Sequence, residues 1–285
     1  MALGFPFDQT AIVAHRGAHC CGNSENSLLA VAHAIELGAA GIEVDVCNLR
    51  DGELLLSHDP YIPIDGHLVP LPSLTLRDLT QLTGGVELPL ARDALEVIRS
   101  SDAFLCLDWK GFGGEGRAVR LVAEMGLSER TIVSSSRSDA LARMKDERPD
   151  VATGLSVPDL AGGARTAIGE HADEVLRRMD AAGADAVMLE RTLASAAVLG
   201  PVRRRGAGVF FWTAKDAETV AALAGLSPDG VMSDALDGHH ERARRAVPGG
   251  PVYAEALPTL SGPTGCGAGP SRSRAVTILR ARPAM

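Results

Sequence analysis

An α/β fold of the (β/α)8 barrel kind is what this 285-residue sequence predicts, and three observations lead there. Short runs rich in Val, Ile and Leu alternate with longer stretches of helical periodicity, the pattern of repeated β-α units around a parallel sheet. Eight such runs can be read along the chain, and eight strands are enough to close a barrel filled by side chains. The length also fits, since barrels of this kind commonly occupy roughly 250 residues as one domain.

The strands are expected at Ala11–Ala14, Ala40–Val46, Phe104–Trp109, Thr131–Ser134, Ala152–Leu155, Ala186–Leu189, Gly208–Trp212 and Gly230–Met232. Helical segments lie between them: "SLLAVAHAIELG", with a serine in "SENS" as cap and Gly38 as stop, then "GRAVRLVAEMG", "DALARMKDERP", "ADEVLRRMDAAG" and "DAETVAALAG". Each ends in Gly or Pro, as helix C-termini commonly do. Between His58 and Phe104 the rhythm breaks. Turn signals at Asp51-Gly52 and Asp65-Gly66, with Pro60, Pro63, Pro70 and Pro72, predict a strand or hairpin into His58 and then a polar, proline-rich inserted loop. Such an insertion after the second strand would overhang the barrel mouth. From Val247 the composition changes again, with eleven Gly or Pro among the 24 residues through Pro270. The expected organisation is therefore a barrel over 1–246 and a flexible, Gly/Pro-rich tail without packed elements over 247–285.

Hydrophobic residues make up 46% and charged residues 22% of the chain, enough apolar content for a sizeable core. The formal net charge of -8 argues against a nucleic-acid partner, because binding by phosphate neutralisation needs a basic face. Five cysteines without regular spacing read as a reduced set, and Cys20-Cys21 has no second metal-binding pair. The opening "MALGFPFDQT" has no basic n-region, and no apolar run is long enough for a membrane span. A cytoplasmic protein is expected.

Side chains at the C-terminal ends of barrel strands converge on one face. His15 and Arg16 follow the first strand, Glu43 and Asp45 lie on the second, His58 comes shortly after, and Asp108 and Lys110 close the third. Glu43 and Asp45 are two apart on a strand and so share a face. Two inward carboxylates repel unless a cation lies between them, and Mg²⁺ or Ca²⁺ suits an all-oxygen site to which Asp108 would add a ligand. Arg16 and Lys110 would make a clamp for a phosphate or, alternatively, structural ion pairs with these acids. Two histidines beside such a site suit general acid and general base work. Trp212 reads equally as core or as a wall of the pocket. His19, His33, His67, His171, His239 and His240 lack such company and read as surface groups.

The ordered series "HRG", "ENS", "GIEVDV", "RDGELLLSHD", "LDWK", "WT" and "DGVMSD", spread over Ile12 to Asp234, resembles the glycerophosphodiester phosphodiesterase family of metal-dependent TIM barrels. The resemblance implies that His15 and His58 are the catalytic pair, that Glu43, Asp45 and Asp108 hold the divalent cation, and that Arg16 and Lys110 contact the substrate phosphate. It also implies that Glu25 and Asn26 support the metal side of the site. This sequence departs from the family pattern in having Asp108 where Glu is usual, Ser24 for Pro, Ser136-Arg137 where an aromatic is expected, and "SDAL" at the close of the last strand.

The expected activity is cleavage of a small-molecule glycerophosphodiester-like substrate to an alcohol and a phosphomonoester. Two alternatives stand beside it. One is a lyase-type transphosphorylation of a lysophospholipid or specialised diester giving a cyclic phosphate; the other is a barrel that binds a phosphorylated ligand without turnover.

Overall fold

The computed structural model describes residues 9–19, 22–85, 88–158 and 168–236, the side chains of 168–171 excepted. In chain order its elements are β1 (Ala11–Ala14), α1 (Leu28–Glu36), β2 (Gly41–Asn48), β3 (Leu54–Leu56), β4 (Tyr61–Ile64), β5 (His67–Pro70), α2 (Leu76–Leu82) and α3 (Ala91–Arg99). There follow β6 (Phe104–Trp109), α4 (Glu115–Glu124), β7 (Thr131–Ser135), α5 (Ser138–Glu147), β8 (Ala152–Val157), α6 (Ile168–Ala182) and β9 (Ala186–Glu190). The described chain ends with α7 (Ala196–Arg204), β10 (Gly208–Ala214), α8 (Ala217–Ala224) and β11 (Gly230–Ser233).

Eight strands are parallel neighbours in the order β1-β2-β6-β7-β8-β9-β10-β11, and β1 pairs with both β2 and β11, so the sheet closes. All eight expected strands are present. Six run one or two residues further toward the mouth than sequence patterning predicts, because parallel pairing continues past the last apolar residue into the polar positions of the site.

Alternation along each strand builds two cores. On β2, Ile42, Val44 and Val46 face outward and pack with buried helix residues such as Val31, Leu95 and Ile98, whereas β6 sends Leu105, Leu107 and Trp109 to the same shell. The opposite positions fill the barrel. Phe104 and Phe210 meet edge to face there at 6.3 Å. Gly41 and Gly230 make room for them, since a Cβ at either position would lie 2.4 Å from the Phe104 ring or 2.6 Å from the Phe210 ring. Glycine weakens a strand, but here the close approach of a ring requires it.

The segment after β2 corrects the expected proline-rich loop. It contains β3, antiparallel to β2, the β4–β5 hairpin, and the helices α2 and α3. A separate small core of Cys47, Leu49, Leu55, Leu71 and Leu79 lies beneath it. Thr75 caps α2 in a reciprocal capping box with Asp78, which satisfies backbone donors at the helix start. The prolines do not prevent this order: Pro63 and Pro70 stand in a two-stranded hairpin, and Pro72 lies in the first turn of a short 3-10 helix. The helices α2, α3 and α7 come in addition to the helical segments that sequence periodicity predicts.

No helix among the described residues is long and apolar enough to cross a membrane. The expected tail over 247–285, the Cys20-Cys21 pair, and the side chains of His171, His239 and His240 lie outside the described residues.

Candidate active site

Strand register places the acidic groups. Asp45 on β2 is the Cα partner of Asp108 on β6, and Asp108 is in turn the partner of Ser134 on β7. Glu43 lies one inward position deeper, beside Cys106. Oxygens of Glu43, Asp45 and Asp108 come within 4.8 Å of one another, and all three residues are buried. They line a cavity of about 180 Å³ at the C-terminal end of the barrel, together with His15, Arg16, His58, Lys110 and Trp212. Eight of the ten predicted site residues thus share one pocket.

The "HRG" turn after β1 is shaped by backbone geometry. Arg16 and Gly17 both have positive φ, 56° and 76°, a conformation that is uncommon for a side chain as large as arginine. A Cβ on Gly17 would come 2.6 Å from the Ala30 carbonyl carbon of α1, so only glycine fits. The turn aims the Arg16 amide at Glu43 Oε2, 2.8 Å away. The other two members of the predicted set act on the loop side. Asn26 donates from Nδ2 to Asp45 Oδ2 at 2.9 Å and accepts the Asp45 amide at 3.0 Å. Glu25 reaches the site through Arg16, whose Nη1 it pairs at 3.0 Å, and its own side chain is half exposed.

Three buried carboxylates are balanced here by two cations. Arg16 Nε lies 3.0 Å from Asp45 Oδ2 as an ion pair, without hydrogen-bond alignment. Lys110 Nζ donates to Asp108 Oδ2 at 2.5 Å and lies 3.3 Å from Asp45 Oδ1. The structural ion pairs considered from sequence are therefore formed. Burial pushes the Glu43 carboxyl well above its ordinary range; Asp45 and Asp108 add to the shift, and the Arg16 amide and Lys110 oppose it. Burial by itself would lower the Lys110 ammonium, but Asp108 and Asp45 outweigh it and raise it. With all three carboxyls ionised the cluster carries one excess negative charge. Its oxygen-only donor set and that excess fit a hard divalent cation.

The two predicted histidines are each oriented by a carboxylate. His15 Nδ1 donates to Asp234 Oδ1 at 2.7 Å, and His58 Nδ1 donates to Asp59 Oδ1 at 2.8 Å. An ionised carboxylate only accepts, so these contacts assign the proton to Nδ1 and leave each Nε2 for other chemistry. The surface reading of His19 is corrected: its Nε2 lies 3.2 Å from the same Asp234 oxygen. His33 likewise has a partner, Asn23 Nδ2 at 3.2 Å. Burial would raise the Asp234 carboxyl, but the hydrogen bonds from His15 and His19 outweigh it and hold it far below the ordinary range.

Asp234 closes the "DGVMSD" motif, which by itself does not point to a partnership with His15. Its place one residue beyond the last strand is the signal that could have found it, because conspicuous residues at barrel strand ends tend to serve the site. Ser134, whose hydroxyl donates to Asp108 Oδ1 at 3.0 Å, is a second site residue that sequence reasoning misses. Ser136, Ser156 and Met232 complete the wall. Trp212 lines the pocket while its indole Nε1 donates to Met188 O at 3.0 Å, so it serves both as packing and as wall.

Comparison with known proteins adds a lineage to this geometry. Residues 15–111 match the model of the glycerophosphoryl diester phosphodiesterase family. A glycerophosphodiester phosphodiesterase of Caldanaerobacter subterraneus subsp. tengcongensis is 28% identical over 163 residues, covering 52% of this chain and 66% of that protein. YhdW of Bacillus subtilis is 24% identical over 250 residues, covering 81% of this chain and 98% of that protein. In fold, the chain is similar to a phosphodiesterase of Oleispira antarctica solved in complex with its product sn-glycerol-3-phosphate, with a TM-score of 0.63 and 21% identity over 79% of this chain and 93% of that one.

Proposed function

Since this chain belongs to the glycerophosphodiester phosphodiesterase family, we propose that it cleaves a glycerophosphodiester by divalent-metal-dependent acid-base catalysis between His15 and His58. The observation that carries this reading is the pair of imidazoles, each with Nδ1 tied to a carboxylate, lining one pocket with three clustered acids.

Glu43, Asp45 and Asp108 would hold the cation, Mg²⁺ or Ca²⁺. When bound, it supplies Lewis-acid polarisation of the phosphoryl oxygens. The remaining work falls to this chain's own groups. One imidazole accepts through Nε2 the proton of the attacking hydroxyl, and the other donates its proton to the departing alkoxide. Asp234 and Asp59 stabilise the imidazolium that each histidine becomes in its charged form. Arg16 and Lys110, released in part from the carboxylates once these are neutralised, turn to the phosphate oxygens and draw off charge as it builds on them. Asn26 holds Asp45 in place, and Glu25 steers Arg16.

Phosphorus NMR of the purified protein with glycerophosphodiesters, with and without Mg²⁺, Ca²⁺ or chelator, tests this directly. A phosphomonoester should accumulate only with cation and disappear in His15→Ala. Absence of turnover from a folded protein that binds cation by calorimetry would sink the hydrolytic reading.

A further inference from the structure

One sector of the barrel mouth, just outside the acid-lined pocket, is apolar and exposed. The β4–β5 hairpin pairs Tyr61 with Pro70 and Pro63 with Leu68, and these four residues face solvent while Ile62, Ile64 and Val69 are half-buried. Leu68 is 71% exposed, Tyr61 42%, and Phe112 on the loop after β6 46%. The Tyr61 and Phe112 rings lie 6.2 Å apart. Arg137 spans the Phe112 ring at 5.2 Å and donates to Gly111 O at 2.8 Å, which steadies this rim.

The rim is continuous with the pocket. Tyr61 follows the pocket residue His58 by three positions, Phe112 follows Lys110 by two, and Arg137 follows Ser136 by one. The pocket itself, at about 180 Å³, is smaller than the roughly 300 Å³ at which small-molecule sites usually begin. A phosphodiester fills it with the phosphate and its immediate substituents, so one of the two alcohols extends over the edge.

We propose that this rim receives a single long hydrocarbon chain carried by one alcohol of the diester, which makes the preferred substrate a single-chain phosphodiester lipid. This rests on the phosphodiesterase reading above. The occupant is an individual chain because the rim is small. A stable protein partner covers on the order of 800 Å² per side, more than a few side chains supply. Asp59 and Asp65 are exposed beside it, and Arg137 is engaged with Gly111 and Asp139, so no surplus positive charge is offered to an anionic bilayer.

The test compares glycerophosphocholine with a lysophosphatidylcholine kept below its micelle concentration, for the native protein, Leu68→Ser and Tyr61→Ser. Each methylene taken from water contributes about fourfold, so a chain of which only a few carbons dock should raise kcat/KM at least roughly tenfold through KM. Both variants should lose most of that advantage while turning over glycerophosphocholine as before. A chain that brings no advantage, or an advantage that both variants keep, overturns the proposal. Should no diester be cleaved, calorimetric binding of monomeric dodecylphosphocholine, weakened severalfold in both variants, would still support the rim; equal binding by native protein and variants would overturn it. Retention on phosphatidylcholine vesicles without monomer binding, or a dimer abolished by Leu68→Ser, would also overturn it.

Discussion

His15 Nδ1 and Asp234 Oδ1 lie 2.7 Å apart although 219 residues separate them in the chain. The contact exists because β1 and β11 are neighbours, with Ala14 opposite Ser233 and the His15 amide bonded to Ser233 O at 3.1 Å. The first and last strands thus deliver one imidazole and one carboxylate to the same side of the mouth.

Asp234→Asn should therefore disable His15 without unfolding the barrel. An amide can present its NH2 to Nδ1 and select the wrong tautomer, so kcat should fall on the order of 10²-fold or more, with a much smaller change in KM. Steady-state kinetics with a soluble diester checks this. A loss of less than about threefold would remove Asp234 from its positioning role.

His19 should titrate above the ordinary value of 6.5. Its hydrogen bond to Asp234 raises it, burial opposes, and the charge of Asp234 adds to the rise. The proton is thus held more tightly in the folded state, so the stabilisation is complete below the unfolded pKa and is lost as pH rises through the folded one. Imidazole NMR across about pH 5 to 9 should show the upward shift in the native protein and its collapse in Asp234→Asn.

Lys110→Met removes the cation that pairs with Asp108 and Asp45. Leaving buried carboxylates uncompensated should cost a few kcal/mol, about 2 after allowing for partial exposure, and lower Tm by roughly 4–8 °C in chelator. Mg²⁺ or Ca²⁺ should narrow that gap, because a cation held by the carboxylates substitutes for the lost charge. Thermal melts at rising cation concentration decide it; a gap that stays constant argues that the acids hold no ion.

The raised Glu43 carboxyl also makes stability fall with rising pH, here through the gain of a negative charge. Burial, then Asp45 and Asp108, favour its protonated form in the folded protein. Its contribution is greatest below the ordinary value of 4.5 and declines as pH climbs through the folded pKa, because ionisation adds charge to a crowded site. Denaturant titrations in chelator should show this slope in the native protein. Glu43→Gln should flatten it, and so should saturating divalent cation.

The local features of this protein were readable from the chain itself. Period-two alternation in "GIEVDV" and "FLCLDW" put Glu43, Asp45 and Asp108 on the inner face, since a strand's side chains alternate whatever it pairs with. The helix α3 carried a readable stripe too, with Ala91, Ala94, Leu95 and Ile98 buried, but the prolines before it made the whole segment resemble a loop. The small core under the insertion is a different matter. Cys47, Leu49, Leu55, Leu71 and Leu79 come from separate short segments, none of which shows a period of its own.

Sequence alone determined the barrel, the inward acids, and the two histidines at strand mouths, because these follow from periodicity and from where strands end. Only the tertiary structure decided that Asp234 orients His15 and recruits His19, that Lys110 lies between Asp108 and Asp45, and that Tyr61 meets Phe112 at the rim. Those contacts depend on barrel closure and on how separate loops pack, and both are set by the summed packing of the whole chain rather than by any one stretch of it.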